Sequence, residues 1–310
     1  MEQNPFGRLW PVSALTLGGG GIGMVWGETT FEECVATVHA AIAAGINLID
    51  LAPRYGEGTA ERVVGEAFDG RLPAGVRVTS KCGLGNPLPA QIEAILRESI
   101  EGSLKRLRLS RLDLFFLHSN VVPDADHIAR WPDAASRMTP YAIFVEHVRP
   151  LFERFVAEGL IGAWGLTGIG HPDTIIRLLG ERPAPAAVQC IANLLDSPGG
   201  LKFFDGPAKP RAIMAAAHAN GVGVMGIPRS AGRRADELDR PAAPRRPPRY
   251  ARLRACRRLP AARRRVGQHS RRAGASLRAV ARHRYARPRR QEPAGACRMC
   301  CGGRGRGAAA

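Results

Sequence analysis

Short apolar runs typical of β-strands alternate with longer helical patterns through the first 230 residues, and this alternation is the feature that most constrains the fold. The pattern predicts seven strands, at residues 12–16, 47–51, 76–80, 112–117, 162–166, 187–192 and 222–227. It also predicts a helix that begins near residue 31 and further helices at residues 60–68, 90–107, 142–158, 173–179 and 210–220. Strands that alternate with helices form parallel sheets. The sequence therefore predicts an α/β fold, either doubly wound or closed as a (β/α)8 TIM barrel.

The first predicted helix carries signals at both of its ends. Thr30 and Glu33 have the spacing of a capping box, in which each side chain bonds the backbone of the other residue. Gly45 is the kind of residue that commonly ends a helix. These signals predict a helix that begins at Phe31 and ends close to Gly45.

Charge divides the chain into two parts. Residues 1–230 contain 21 Lys and Arg against 23 Asp and Glu, whereas residues 231–310 contain 24 Arg, no Lys and 4 acidic residues. The second part also lacks Ile, Phe and Trp, so it offers too little apolar surface to offset the entropy of ordering a chain. We therefore expect a folded domain over residues 1–230 and a disordered tail, rich in Arg, Ala, Pro and Gly, over residues 231–310.

Two interpretations of the tail are open. Its dominant residue types all have GC-rich codons, so its composition fits a GC-rich coding region that is read in a shifted frame. We favour this interpretation. In the alternative, the arginines bind nucleic-acid phosphates non-specifically and in a salt-dependent manner.

The remaining sequence signals favour a cytoplasmic protein without a metal. No apolar run approaches the roughly 18 residues that span a bilayer, and residues 1–8 lack the features of a signal peptide. Cys34, Cys82 and Cys190 lie in apolar segments, which is typical of buried thiols. The C-x-x-C spacing at Cys297 and Cys300 has no second ligand pair, so we expect no metal site.

A glycine run at residues 18–23 formally satisfies the dinucleotide-binding pattern G-x-G-x-x-G, with Asp50 at the end of the next predicted strand. A Rossmann-type NAD-binding protein is therefore an alternative. Residues 24–30 do not continue as a helix, however, although pyrophosphate binding requires a helix to open at the third glycine. We prefer a glycine-rich turn at the mouth of a barrel.

Four polar residues fall at or just beyond the ends of three consecutive predicted strands: Asp50, Tyr55, Lys81 and His118. In a barrel, all parallel strands end at one mouth, and enzymes with this fold carry out their chemistry at that mouth. Taken singly, each residue has an ordinary structural explanation. Taken together, their order and spacing resemble the signature of the aldo-keto reductase family. Residues 45–65, which contain Asp50 and Tyr55, are similar to the family's aldose and sugar dehydrogenase branch, and Lys81 and His118 follow in the family's order. The resemblance covers about residues 11–227 and implies a (β/α)8 barrel that is incomplete after Pro228.

The resemblance implies an oxidoreductase that interconverts an aldehyde, ketone or sugar carbonyl and its alcohol by hydride transfer. Tyr55 would donate the proton that the developing alkoxide needs. A free tyrosine has a pKa of about 10, so Lys81 would stabilise the phenolate that remains. Asp50 would pair with Lys81, because an unpaired buried ammonium is costly. His118 would orient the carbonyl oxygen.

The same resemblance implies that NADP(H), with NAD(H) as the alternative, binds across the barrel mouth without a Rossmann fold. Gln189 matches the family's strand-six glutamine, which contacts the nicotinamide amide. The chain departs from the family at Thr167 and Gly168, where Ser-Asn is usual, and at Gly226, where an aromatic residue is usual. The predicted cofactor-binding residues are Gly19, Gly20, Thr167, Gln189, Gly226, Arg229 and Ser230. The expected partner is a small carbonyl or sugar substrate.

Overall fold

The computed structural model describes residues 1–227. The tail predicted at residues 231–310, together with its nucleic-acid alternative, lies outside the described residues. Two of the predicted cofactor-binding residues, Arg229 and Ser230, also lie outside them.

Seven parallel strands form the main sheet, in the order β7-β6-β5-β4-β3-β2-β1. The strands are β1 Leu17–Gly18, β2 Leu48–Asp50, β3 Arg77–Cys82, β4 Leu114–Leu117, β5 Trp164–Thr167, β6 Ala187–Ile191 and β7 Gly223–Ile227. The seven strands of this sheet lie side by side in the order in which they occur along the chain, as in a (β/α)8 barrel, whereas a doubly wound sheet reverses its order in the middle. The barrel-type prediction is confirmed, and the doubly wound alternative is wrong.

The sheet is curled and open. Asp50 at the end of β2 contacts Gln189 of β6 at 2.8 Å, although four strand spacings of about 4.8 Å would hold them about 19 Å apart in a flat sheet. Within residues 1–227, β1 and β7 each pair with one neighbour only. The described residues therefore form a curled, open, barrel-type sheet of seven strands. The predicted incompleteness after Pro228 concerns residues outside the described part of the chain.

Six helices of nine residues or more surround the described part of the sheet. They are α1 Phe31–Ala43, α2 Thr59–Phe68, α3 Pro89–Leu107, α4 Arg149–Ala157, α5 Pro172–Gly180 and α6 Pro210–Ala219. A short helix, Tyr141–Ile143, and a π-helical turn, Phe144–Val148, lead into α4. The capping box of α1 is present, since Thr30 Oγ1 accepts from the Glu33 amide at 3.1 Å and Glu33 Oε2 accepts from the Thr30 amide at 3.0 Å.

The first predicted strand is divided in two, which corrects the sequence prediction. Val12–Ser13 pairs with Gln3–Asn4 in an antiparallel N-terminal hairpin, and the barrel strand β1 begins only at Leu17. The division has a local cause: Ser13 Oγ donates to the Leu15 carbonyl at 2.6 Å and turns the chain between the two strands. Ser13 also bonds Asn47, the residue before β2, through both backbone amides.

The two faces of the sheet carry two cores, because successive side chains of a strand point in opposite directions. On the outer face, Phe115 of β4 packs edge-to-face on Phe152 of α4 within the large helix–sheet cluster. On the inner face, a smaller cluster lies near the amino ends of the strands and consists of Phe6, Leu48, Leu114, Phe116, Ala187 and Met225. Phe6 comes from the N-terminal hairpin, which therefore closes this end of the sheet.

The loop after β4 contains structure that the sequence did not predict. Asn120–Val122 and Met138–Pro140 form a second, two-stranded parallel sheet, and a short helix, Ala125–Ala129, and a 3-10 helix, Pro132–Arg137, lie between them. None of the helices in the described part of the chain is long and apolar enough to cross a membrane.

Candidate active site

The four predicted catalytic residues meet at the carboxyl ends of the strands. Asp50 is the last residue of β2, Lys81 lies one residue before the end of β3, and His118 directly follows β4. Tyr55 lies in the loop between β2 and α2. The parallel registers align these strand ends, so the strand order brings Asp50, Lys81 and His118 to one edge, and the loop after β2 adds Tyr55.

The Lys81 ammonium is buried in a fully bonded position. Its Nζ donates to Asp50 Oδ1 at 2.8 Å, to the Leu51 carbonyl at 2.7 Å and to the Tyr55 hydroxyl at 3.4 Å. Burial by itself lowers the pKa of this ammonium, but the charge and hydrogen bonds of Asp50 and Tyr55 outweigh it and hold the pKa above the ordinary value. Lys81 is therefore a permanent cation at neutral pH.

Asp50 connects both sides of the site through a single oxygen. Besides Lys81, Asp50 Oδ1 accepts from Thr79 Oγ1 and from Gln189 Nε2, each at 2.8 Å. Gln189, which the sequence predicted as a cofactor-binding residue, therefore also holds Asp50. Thr79 was missed, although its spacing gave a signal: it precedes Lys81 by two residues in β3 and so lies on the same face.

Tyr55 lies against both Lys81 and His118. Lys81 Nζ sits 4.9 Å from the centre of the Tyr55 ring, and the His118 ring meets the Tyr55 ring edge-on with centroids 6.3 Å apart. The Tyr55 loop is held by backbone bonds from Tyr55 to Ala52 at 3.0 Å and from Ala60 to Tyr55 at 3.2 Å. These bonds hold the loop from which the hydroxyl faces the ammonium.

His118 is held in the neutral form. Burial lowers the pKa of its imidazole to about 3, and the positive charges of Lys81 and Arg54 contribute to the shift. Its backbone amide is fixed by a 2.7 Å bond to the Cys82 carbonyl of β3. A neutral imidazole can donate one hydrogen bond without competing as an acid.

The glycine run packs against the tyrosine loop instead of forming a Rossmann turn. Gly19–Ile22 is a single helical turn after β1. A Cβ on Gly19 would lie 2.9 Å from both the Asp50 carbonyl oxygen and Tyr55 Cδ2. At Gly23 a Cβ would lie 2.7 Å from the Tyr55 carbonyl oxygen. These glycines allow the close approach of two backbone segments, as the barrel-mouth interpretation expected.

Trp26 was not identified from the sequence as a residue of this region. Its ring packs over Gly20, where a Cβ would lie 2.5 Å from the indole, and 71% of the side chain is exposed. An exposed aromatic ring beside the strand ends offers apolar contact area to a ligand. Only the position of Trp26, shortly after a glycine run at a strand end, could have signalled this.

The other predicted cofactor residues also lie at the carboxyl ends of strands. Thr167 ends β5, and its hydroxyl donates to the Leu117 carbonyl at 3.0 Å. The Gly168 amide donates to the Gln189 carbonyl at 2.7 Å. Gly226, near the end of β7, is exposed. These residues flank the four polar side chains, and their cofactor roles stay predictions.

No cluster of three or more metal-ligating side chains is present among residues 1–227. The described thiols Cys34, Cys82 and Cys190 are buried and unpaired with one another. Burial raises the pKa of the Cys190 thiol to about 12.

Comparison with known proteins identifies the same family that the four residues suggested. The model of the aldo/keto reductase family matches residues 14–292. An L-galactose dehydrogenase from Arabidopsis thaliana is 29% identical over 187 residues, which cover 59% of this chain and 52% of the relative. The chain thus spans about half the length of this curated relative.

Solved structures of the family share the fold. A glycerol dehydrogenase from Gluconobacter oxydans superposes with a TM-score of 0.51 at 25% identity, over 72% of this chain and 62% of that chain. An aldo-keto reductase from Klebsiella pneumoniae in complex with NADPH superposes with a TM-score of 0.51 at 24% identity, over 73% of this chain and 66% of that chain.

Proposed function

Since this chain belongs to the aldo/keto reductase family, we propose that it is an NADP(H)-dependent oxidoreductase that interconverts a small carbonyl compound and its alcohol. Tyr55 is the general acid in reduction and the general base in oxidation. The observation that carries the proposal is the contact between the buried Lys81 ammonium and the Tyr55 hydroxyl at 3.4 Å.

This contact makes a weak acid usable at neutral pH. When the Tyr55 hydroxyl gives its proton to the carbonyl oxygen, the phenolate that remains is stabilised by the Lys81 cation beside it. Coulomb interactions are stronger in a partly buried site than in water. Asp50 keeps Lys81 in place without removing the cation, because Lys81 retains its proton.

Neutral His118 has a separate role in the same step. Its imidazole is close enough to Tyr55 to meet the same substrate oxygen, and one ring nitrogen carries a proton to donate. Such a hydrogen bond orients the carbonyl and stabilises the charge that develops on its oxygen. Because burial, together with the charges of Lys81 and Arg54, keeps the His118 pKa too low for an imidazolium at neutral pH, the acid of the reaction is Tyr55.

We infer that the nicotinamide ring lies at the strand ends, beside the four polar residues. The buried Gln189 supplies an amide there, next to Asp50. The cofactor, when bound, supplies or accepts the hydride. Gln189 and Thr167 would hold its amide, and Gly19 and Gly20 would line the opposite side.

The substrate is proposed to be a sugar-like or other small aldehyde or ketone. One matched relative is an L-galactose dehydrogenase, and the segment around Asp50 and Tyr55 resembles the sugar dehydrogenase branch. The exposed Trp26 offers a surface for the apolar face of such a molecule. The domain boundary predicted after residue 230 and the predicted cytoplasmic location of the protein stay predictions.

The test compares Tyr55→Phe with the parent chain and with Tyr141→Phe as a matched control. Tyr141 is a second tyrosine, bonded to Glu181 on the helical side at 2.5 Å. Removal of a general acid typically costs about 100-fold or more in rate. We expect such a loss of NADPH-dependent aldehyde reduction in Tyr55→Phe and near-parental turnover in Tyr141→Phe. Equal turnover by Tyr55→Phe and the parent would refute the proposal.

A further inference from the structure

A buried carboxylate lies directly behind the tyrosine and lysine, outside the residues that the mechanism uses. Glu61, in the first turn of α2, is fully buried. Its Oε1 accepts from Ser80 Oγ at 2.6 Å, and its Oε2 accepts from Arg106 Nε at 2.5 Å. Ser80 also contacts the buried Ser103 of α3 at 3.1 Å. One carboxylate therefore joins α2, β3 and α3.

The ion pair supports the beginning of α2. The residue that caps this helix, Gly58, has a left-handed backbone with φ of +82°, and a Cβ there would lie 2.5 Å from Arg106 Cδ. The Gly58 amide donates to the Pro53 carbonyl at 2.7 Å, which closes the loop that contains Tyr55. The Arg106 side chain thus packs directly under the end of the Tyr55 loop.

The other arm of the network reaches the lysine. Ser80 directly precedes Lys81 in β3, and its side chain points to the opposite face of the strand. Glu61 therefore fixes the start of α2, which follows Tyr55, against the strand residue next to Lys81. Since β3 is held by β2 and β4 on its two sides, the adjustable part of this arrangement is the tyrosine loop.

We propose that Glu61 and Arg106 are positioning residues that set the distance between the Tyr55 hydroxyl and the Lys81 ammonium. The inference rests on the proposed function, because the distance matters only if Tyr55 is the acid. Neither residue touches the substrate side of the strand ends. Small displacements of a catalytic group, of about 1 Å, can reduce rates by about 100-fold.

The experiment replaces the charge without removing the side chain. Glu61→Gln keeps the size of the residue and a partner for Ser80, but it removes the ion pair with Arg106. The matched control is Arg108→Gln. Arg108 forms exposed ion pairs at 2.7 Å with Glu66 and Asp69, which lie at the carboxyl end of α2, and the substitution removes both pairs. Arg106→Lys tests the other partner, since lysine keeps the charge but not the planar donor geometry.

The first measurement is the ultraviolet titration of the Tyr55 phenolate in the cofactor-free protein, taken as the difference between each variant and the same variant with Tyr55→Phe. In Glu61→Gln we expect the phenolate to form about one pH unit higher than in the parent, because the cation is farther away. In Arg106→Lys we expect a smaller shift in the same direction. Arg108→Gln should titrate like the parent.

The second measurement is steady-state turnover. We expect kcat of Glu61→Gln to fall by about 10-fold or more with little change in KM, while Arg108→Gln keeps both values. A Tyr55 titration in Glu61→Gln that is identical to the parent's would overturn the positioning role, whatever the turnover. If Tyr55→Phe instead keeps full activity, the proposed function fails, and the titration still decides whether Glu61 sets the spacing.

Discussion

Asp50 combines three hydrogen bonds on one carboxylate oxygen, from Thr79, Lys81 and Gln189, each at 2.8 Å. Those donors come from two strands that lie far apart in the sheet order. The Lys81 side chain is fully buried, whereas Asp50 is 17% exposed. Removing the aspartate charge would leave a buried cation without its counter-ion, and an unpaired buried charge strongly destabilises the folded state.

We therefore expect Asp50→Asn to lower the free energy of unfolding by about 3–5 kcal/mol, or to release the proton from Lys81. The matched control is Asp173→Asn, which breaks an exposed pair with Lys209 of the same 2.8 Å length and should cost less than about 1 kcal/mol. Urea unfolding of both variants measures the difference. Equal losses would show that the Asp50–Lys81 pair behaves as a surface pair.

The neutral state of His118 has a consequence for stability against pH. Its folded pKa of about 3 lies below the ordinary 6.5, so the unfolded chain binds a proton on this residue over that window while the folded chain does not. The unfolded state then binds more protons, and stability rises with pH. The contribution is fully present above about pH 6.5 and is lost as the pH falls toward 3.

We expect His118→Gln to remove this dependence. Between about pH 7 and pH 5 the parent should lose about 2 kcal/mol more than the variant, since a fully displaced titration contributes about 1.4 kcal/mol per pH unit. Urea unfolding at the two pH values gives the numbers, and the other histidines cancel because both proteins contain them. Parallel losses in parent and variant would contradict the burial of a neutral His118.

At the scale of elements, the turn after Tyr55 depends on a close backbone contact. Gly56 has φ of +63°, and a Cβ there would meet the Gly23 carbonyl oxygen at 1.9 Å. Gly75 has φ of +81° in the loop before β3, but a Cβ there would meet nothing within 4 Å. The two glycines share the left-handed conformation and differ in the contact.

Alanine at each position separates these effects. Gly75→Ala should cost about 1–2 kcal/mol, from the left-handed backbone alone. Gly56→Ala should cost more and should also reduce turnover, because the clash moves the glycine turn and the Tyr55 loop apart. Thermal unfolding and the reductase assay report both quantities. Equal stabilities together with full activity of Gly56→Ala would show that the contact does not hold the loop.

The elements that the sequence predicted well are those with a strong periodic pattern. β6, predicted at residues 187–192 and found at Ala187–Ile191, is buried along its whole length, because the sheet is covered on both faces. The parallel pair Asn120–Val122 and Met138–Pro140 was missed, because its partners lie on either side of a polar loop. Strand pairing across such a loop leaves no periodic signal.

The site also contains contacts that the local sequence could predict and a contact that it could not. Asp50, Tyr55, Lys81 and His118 could be placed from strand ends and spacing, since parallel strands deliver them to one edge. The bond between Gln189 and Asp50 joins residues 139 positions apart, and it depends on how far the sheet curls. Sequence spacing contains no measure of that curl.

At the scale of the whole molecule, the N-terminal hairpin connects both sides of the open sheet. Near β2, Ser13 exchanges hydrogen bonds with Asn47 at 2.7 and 3.0 Å. Near β7, Phe6 packs on Gly223, and a Cβ added to Gly223 would lie 2.5 Å from the Phe6 ring. Arg8 donates to the Asn220 carbonyl at 2.8 Å. The hairpin therefore spans from β2 to the far edge of the described sheet.

This arrangement predicts that the hairpin holds β7 in the curled sheet. Within residues 1–227, β7 has one strand partner, β6. On its outer side it packs against α6, and on its inner side it packs against Phe6, which is 2% exposed. Phe6→Ala should lower the free energy of unfolding by about 3–5 kcal/mol. It should also let the amides of Gly223–Ile227 exchange by a local opening, while those of β3 still exchange only on global unfolding.

Phe152→Ala is the matched control for this prediction. Phe152 is also fully buried, but it packs between α4 and the outer face of β4, so its loss should create a similar cavity without freeing an edge strand. Hydrogen exchange followed by mass spectrometry would compare the two variants. If β7 is no more exposed to exchange in Phe6→Ala than in Phe152→Ala, the hairpin only fills space, and the curl of the sheet is set by the strands and helices themselves.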